Sequence, residues 1–313
     1  MLFDYDVLDG TEKISLALRS LYMGRGFTRY RMGKFEEYDL YSRNKDFLVS
    51  DSVITFTDTN RRLMALKPDV TLSIVKNHPD APETLRKLCY NENVYRVSRG
   101  SGAFREIPQA GVECLGNVDE ACLSEVLTLA AESLRLCSQR YVLEVSDLDI
   151  LSVFVDALGA EGAVRREVLR CASEKNLHSL AALCREQGLS GEARERLEAL
   201  LSLYGEAERV LPALLEFCAG TAAQERAQVL SRVLSVFAGT EAADRVQLDF
   251  SAVGDMKYYN GITFRGFLAG ISESVLRGGQ YDRLMRKMGR RSRAVGFAVY
   301  LDLLDRLGEG SDE

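Results

Sequence analysis

Residues 95–116 read YRVSRGSGAFREIPQAGVECLG. Arg96 and Arg105 flank a short loop that contains Gly100 and Gly102, and a segment of strand character follows. Side chains of a strand alternate between faces, so Gln109, Gly111 and Glu113 share one side while Ala110, Val112 and Cys114 share the other. The spacing predicts a sheet with one apolar face and one polar, glycine-floored face on which a small polar molecule can lie. Gly100 and Gly102 would serve equally as hairpin-turn residues or as close neighbours of a ligand, and the sequence leaves both readings open.

Outward from this segment, strands are expected over residues 86–98 and 103–116, followed by an amphipathic helix over 119–139 and a strand at YVLEVSD. Upstream, Asp9 is a plausible N-cap for a helix to residue 24, with Ile14, Leu18, Leu21 and Tyr22 at helical spacing. FTRYR has strand character, and two further strands flank the turn TDTNRR. From 148 to 238 the chain is helical in pattern, rich in Ala, Leu, Glu and Arg, with breaks near 159, 188 and 205. Strand patterns then return, and RAVGFAVYLDLLDRL ends the chain as a buried strand running into a helix. The expected fold class is α+β, built on an antiparallel sheet flanked by helices and interrupted once. Residues 1–147 and 239–313 form the core domain in this reading, and 148–238 a helical insertion domain.

Bulk properties narrow the function. The 313 residues carry 40 basic and 46 acidic side chains, a net charge of −6, with a pI near 5.3. That balance gives no basic footprint for nucleic acid. Seven cysteines lie no closer than eight residues apart, so no CxxC element exists and no metal site is expected. They are read as buried free thiols of a reducing compartment. MLFDYDVLDG lacks the apolar stretch of a secretion signal, no run is long enough for a membrane span, and a cytoplasmic location is expected. His78 and His178 are the only histidines, one in a proline-punctuated loop and one in a helical stretch, which argues against histidine-based catalysis. Neither a P-loop nor GxGxxG is present, and no cofactor is implied.

Five segments, in order, resemble the histidyl-tRNA synthetases and their paralogues. LKPDVT is similar to LRPEGT or LRPDxT, and residues 94–113 to class II synthetase motif 2 with its QxGxE strand. MKYYNGITF resembles LDYYNRTVFE, RGGQYDRL resembles GGRYDGL, and AVGFAVYLDLL resembles motif 3, AVGFAMGLERL. The resemblance implies a class II aminoacyl-tRNA synthetase-like antiparallel sheet and a histidine pocket made by Asp69, Thr71, Gln109, Glu113, Tyr258 and Tyr259. Tyr281 joins its wall. Tyr258 and Tyr259 are adjacent, so on a strand only one of them would face the pocket. Asp69, Gln109 and Glu113 are expected to hold the ligand's α-amino group jointly, with Gly111 leaving room for it. Arg96 and Arg105 are candidates for binding phosphate or another anion.

Departures from the family pattern carry as much weight. Ser98 replaces the acid of FRxE. Gly254 occupies the position of the family's catalytic arginine, Leu303 that of the motif 3 arginine, and Gly33 that of the motif 1 proline, although Glu36 remains. Guanidinium forks stabilise the negative charge that spreads over phosphate oxygens during adenylation, and each commonly matters by ~10²-fold or more in rate. A kept pocket, two lost arginines and a chain that stops before an anticodon-binding domain resemble the regulatory subunits of ATP phosphoribosyltransferase. Membership of that family implies no catalysis, a short-form ATP phosphoribosyltransferase catalytic subunit as partner, histidine as effector, and a homodimer joined through the first ~60 residues within a hetero-oligomer. A divergent ligase that still adenylates an amino acid, and a free-standing histidine-binding protein, are the competing readings.

Overall fold

The computed structural model describes residues 7–48, 53–98, 101–251 and 258–307. Asp9 accepts from the Glu12 amide while Glu12 reaches back to the Asp9 amide, a reciprocal capping box that starts α1 (Gly10–Gly24). The strands are β1 (Thr28–Arg29), β2 (Phe35–Glu37), β3 (Thr55–Thr57), β4 (Leu63–Leu66), β5 (Leu85–Val97), β6 (Phe104–Gly116), β7 (Tyr141–Asp147), β8 (Tyr204–Glu206), β9 (Val246–Asp249), β10 (Asn260–Leu268), β11 (Leu276–Gln280) and β12 (Arg293–Tyr300). Nine of them form one sheet in the order β1-β5-β6-β12-β11-β10-β7-β9-β8, and β2, β4 and β3 form a small second sheet. The central pairings from β5 to β7 are all antiparallel. Only β1 with β5 and β7 with β9 run parallel. The α+β, antiparallel expectation therefore holds.

The long hairpin of β5 and β6 keeps one register from Leu85 opposite Gly116 to Val97 opposite Phe104. One face of β6 presents Ala110, Val112 and Cys114 to a continuous apolar core. Across that core lies the long helix Glu120–Cys137, started by Asp119 accepting from the Cys122 amide, with Leu123, Val126, Leu127, Ala130 and Leu134 buried. Each of these leucines and the valine, taken fully out of water, is worth ~1.5–3 kcal/mol. Leu134 comes so close to β10 that a Cβ at Gly266 would sit 2.5 Å from its Cδ2, so any larger residue there would force the Leu134 side chain to shift.

Between residues 148 and 238 lie six helices, spanning Leu148–Asp156, Gly162–Ser173, Leu177–Glu186, Gly191–Ser202, Ala207–Cys218 and Gln224–Leu234. Their apolar faces join the same core as the sheet, through Phe154, Leu197, Leu214 and Leu230 among others. The helical pattern misses β8 within this segment. Three extended residues between two helices, with Gly205 at φ 129°, take the free edge of β9. Proximity to an unpaired edge, not local propensity, makes that strand. Among the described residues, no helix is long and apolar enough to cross a membrane, and no group of three His, Cys, Asp or Glu could hold a metal.

Candidate functional site

With one face of β6 committed to the core, Gln109 and Glu113 project from the other, 3% and 2% exposed. They line a cavity of ≈ 660 Å³ whose walls also include Asp69, Thr71, Tyr258 and Tyr281. Glu113 lies opposite Gly296 of β12. A Cβ at Gly296 would fall 1.9 Å from Glu113 Oε2, so the motif 3 glycine makes space for this carboxyl group. Both of its oxygens are held: the Thr71 hydroxyl donates to Oε1 at 2.6 Å and the Tyr281 hydroxyl to Oε2 at 2.5 Å. Burial pushes the Glu113 carboxyl up to about 8, opposed by those two hydroxyls and reinforced by the charge of Asp69.

Asp69 enters through the LKPDVT segment. Lys67 there is buried against Glu92, and Asp69 accepts from the Leu72 amide at 2.8 Å in the first turn of the helix Thr71–Asn77. Burial raises the Asp69 carboxyl, while the Leu72 amide, the charge of Arg96 and the Thr71 amide pull it back. Two carboxyl groups thus face one cavity in an environment that disfavours their ionisation.

The remaining expected residues are also brought together. Arg96 lines the cavity with its Nε donating to the Pro68 carbonyl at 3.1 Å. Arg105 lines it as well and pairs with Asp302 at 2.9 Å. Tyr258 and Tyr259 both reach the wall, against the expectation that only one would. They precede β10, which begins at Asn260, so strand alternation does not apply to them. Their rings meet edge to face at 4.7 Å, and Tyr258 lies 6.1 Å from Tyr281. Gly111 does not leave room for a ligand. Tyr90, its partner across the hairpin, fills the space, and a Cβ at Gly111 would sit 2.5 Å from the Tyr90 hydroxyl. Leu303 packs against the apolar core. Glu36 lies apart from the cavity, accepting from Ser73 and Lys76. Gly100 and Gly254 fall outside the described residues.

Among the cavity residues that escaped the sequence reading are Lys45, Asp46, Tyr90, Tyr300 and Arg277. Tyr90 and Tyr300 follow from strand register, opposite Gly111 and Gln109 respectively. Arg277 sits just ahead of Gly278 and Gly279, and its place beside the cavity needs the β11–β12 pairing. Gln109 Nε2 is buried with no hydrogen-bond partner. A donor left so costs ~1–3 kcal/mol unless a ligand accepts from it.

An antiparallel sheet whose motif 2 and motif 3 strands floor a polar, part-enclosed cavity is the catalytic-domain fold of the class II aminoacyl-tRNA synthetases. The chain belongs to the histidyl-tRNA synthetase family, whose model matches residues 8–304. Within that family it is similar to ATP phosphoribosyltransferase regulatory subunits. One from Clostridium kluyveri is 28% identical over 293 residues, covering 91% of this chain and 74% of the relative. One from Thermoanaerobacter sp. is 27% identical over 294 residues, covering 93% and 76%. Among solved structures, an ATP phosphoribosyltransferase regulatory subunit/histidyl-tRNA synthetase from Bacillus halodurans superposes with a TM-score of 0.81 at 24% identity, covering 95% of this chain and 79% of that one. A chain of the ATP phosphoribosyl transferase (HisG:HisZ) complex from Thermotoga maritima gives 0.72 at 18% identity, covering 95% and 98%.

Proposed function

We propose that this protein is a non-catalytic regulatory subunit of ATP phosphoribosyltransferase, acting at the first step of histidine biosynthesis. In this reading it binds histidine in the cavity and activates a short-form catalytic subunit, as a homodimer within a hetero-oligomer. Residues 148–238 are its helical insertion. The observation that carries the reading is the combination of a retained acidic cavity with a half-buried Leu303, at the motif 3 arginine position, packed against the apolar core.

Asp69 and Glu113 supply acceptors for the nitrogens of the ligand, and Gln109 orients it. Four residues along a strand span about 13 Å, so Gln109 and Glu113 do not centre on one atom. Histidine suits that spread because it carries nitrogen at both ends. Its ammonium is assigned to Asp69 and Gln109, and an imidazole N–H to Glu113, whose carboxyl is already oriented by Thr71 and Tyr281. The tyrosines 258 and 259 close the apolar sides of the ring. A charged ammonium out of water needs such partners, since leaving it unpaired costs several kcal/mol.

Calorimetry against the twenty amino acids tests ligand choice, and histidine is expected to bind alone among them. Adding the chain to a short-form catalytic subunit should raise transferase activity, and histidine should lower it again. The ligase reading draws on Arg96 and Arg105, which line the cavity. Histidine-dependent ATP–pyrophosphate exchange by the purified chain would establish that reading and overturn the regulatory one.

A further inference from the structure

Resting on the amino-acid-binding reading above, we infer that Arg277 is the residue that receives the ligand's α-carboxylate, giving the cavity a cationic pole opposite Asp69. Three guanidinium groups and the exposed Lys45 line the cavity, and one of the three is ion-paired. Arg105 is paired with Asp302. Arg96 donates its Nε to the Pro68 carbonyl and its charge lowers the Asp69 carboxyl, so its guanidinium serves the Asp69 side of the cavity. Arg277 is half-buried, its Nε donates to the Ser274 hydroxyl at 2.6 Å, and it makes no ion pair among the described residues. The Ser274 contact fixes the guanidinium while leaving its two terminal nitrogens available, the fork that carboxylates accept in bidentate fashion.

Strand register puts this fork in the right place. Gly111, Ala298 and Arg277 form one row across β6, β12 and β11, and Glu113, Gly296 and Gly279 the next. Arg277 is thus two strands, about 10 Å, away from β6 and one step towards Gln109 from the Glu113 row. Tyr90 covers the Gly111 end of this row, and Ala298, between it and Arg277, adds only a methyl group. An α-amino acid whose ammonium meets Asp69 and Gln109 at the β6 side must direct its carboxylate away from them, because the two groups diverge at tetrahedral angles from one carbon. That direction leads across Ala298 to Arg277. The neighbouring Arg265, in the same row on β10, does not compete, since it is paired with Glu144 at 3.1 Å.

The experiment is calorimetry of the full chain with L-histidine and L-histidinamide, for the wild type, Arg277→Gln and Arg277→Lys, with thermal melts to check folding. Arg277→Gln should weaken L-histidine ~10- to 100-fold, the range for a lost charge-assisted pair, and leave L-histidinamide within about twofold. Arg277→Lys, which keeps the charge without the fork, should fall between. Unchanged histidine affinity in Arg277→Gln, or an equal loss for both probes in a folded variant, overturns the assignment. So does wild-type protein that binds the amide as tightly as the acid, which needs no variant at all. A wild type that instead takes another α-amino acid, with the same Arg277 dependence, removes histidine and keeps the carboxylate site. One that binds no α-amino acid removes both.

Discussion

Replacing Glu113 with glutamine should make the empty protein more stable and the binding site worse. The folded chain holds the Glu113 proton up to about 8, whereas its ordinary value is 4.5. Between those two values the folded state binds one more proton than the unfolded state, so stability is fully present below 4.5 and falls as pH rises through about 8. At about 1.36 kcal/mol per unit, three units to near pH 7.5 amount to ~4 kcal/mol, an upper figure for a fully buried group. Glu113→Gln has the same size and no ionisation, so that slope disappears. Urea unfolding of wild type and variant at about pH 5 and about pH 7.5 reads the difference, in which groups remote from Glu113 cancel while the coupled Asp69 carboxyl contributes with it. The gap between the two proteins should widen by ~2–4 kcal/mol in the variant's favour at the higher pH. The same variant should bind histidine ~10- to 150-fold more weakly, from the loss of ~1.5–3 kcal/mol for a hydrogen bond to a charged group. Equal stability gaps at both pH values would refute the buried, proton-holding role of Glu113. A variant that kept wild-type affinity would remove it from the site.

Other consequences follow from the same contacts. Tyr281→Phe removes a hydroxyl that lowers the Glu113 carboxyl, so histidine affinity should drop near neutral pH and recover as pH rises in a calorimetric pH series. Gly296→Ala would place a methyl 1.9 Å from Glu113 Oε2 and 2.4 Å from the Val112 carbonyl. It should cost ~1–3 kcal/mol in denaturant melts and abolish detectable binding. Glu92→Ala leaves the ammonium of Lys67, 2% exposed, without its carboxylate. Loss of ~3–5 kcal/mol, measured by urea unfolding, is expected there, while Lys67→Met in the same background should restore much of it.

Period and composition alone determined the α+β class, the helical stretch at 148–238 and the two faces of β6. Apolar alternation at Ala110, Val112 and Cys114 is a local property, and a strand with one oily face has one way to lie on a core. The cluster of Asp69, Thr71, Gln109 and Glu113 was legible only through the resemblance of LKPDVT and the QxGxE strand to the family motifs; alternation by itself put only Gln109 and Glu113 on one face. Tertiary structure decided whatever depended on a neighbour from another segment. Tyr90 occupies the place above Gly111 because hairpin register aligns them, and no spacing within either strand reveals that. Tyr258 and Tyr259 share the cavity because both precede β10, which starts only at Asn260, so strand alternation does not separate them. β8 exists because β9 had an open edge, and Arg277 faces the cavity because β11 lies between β12 and β10. Side-chain alternation propagates along a chain, whereas register and proximity are set between chain segments far apart in sequence, where only the folded core fixes them.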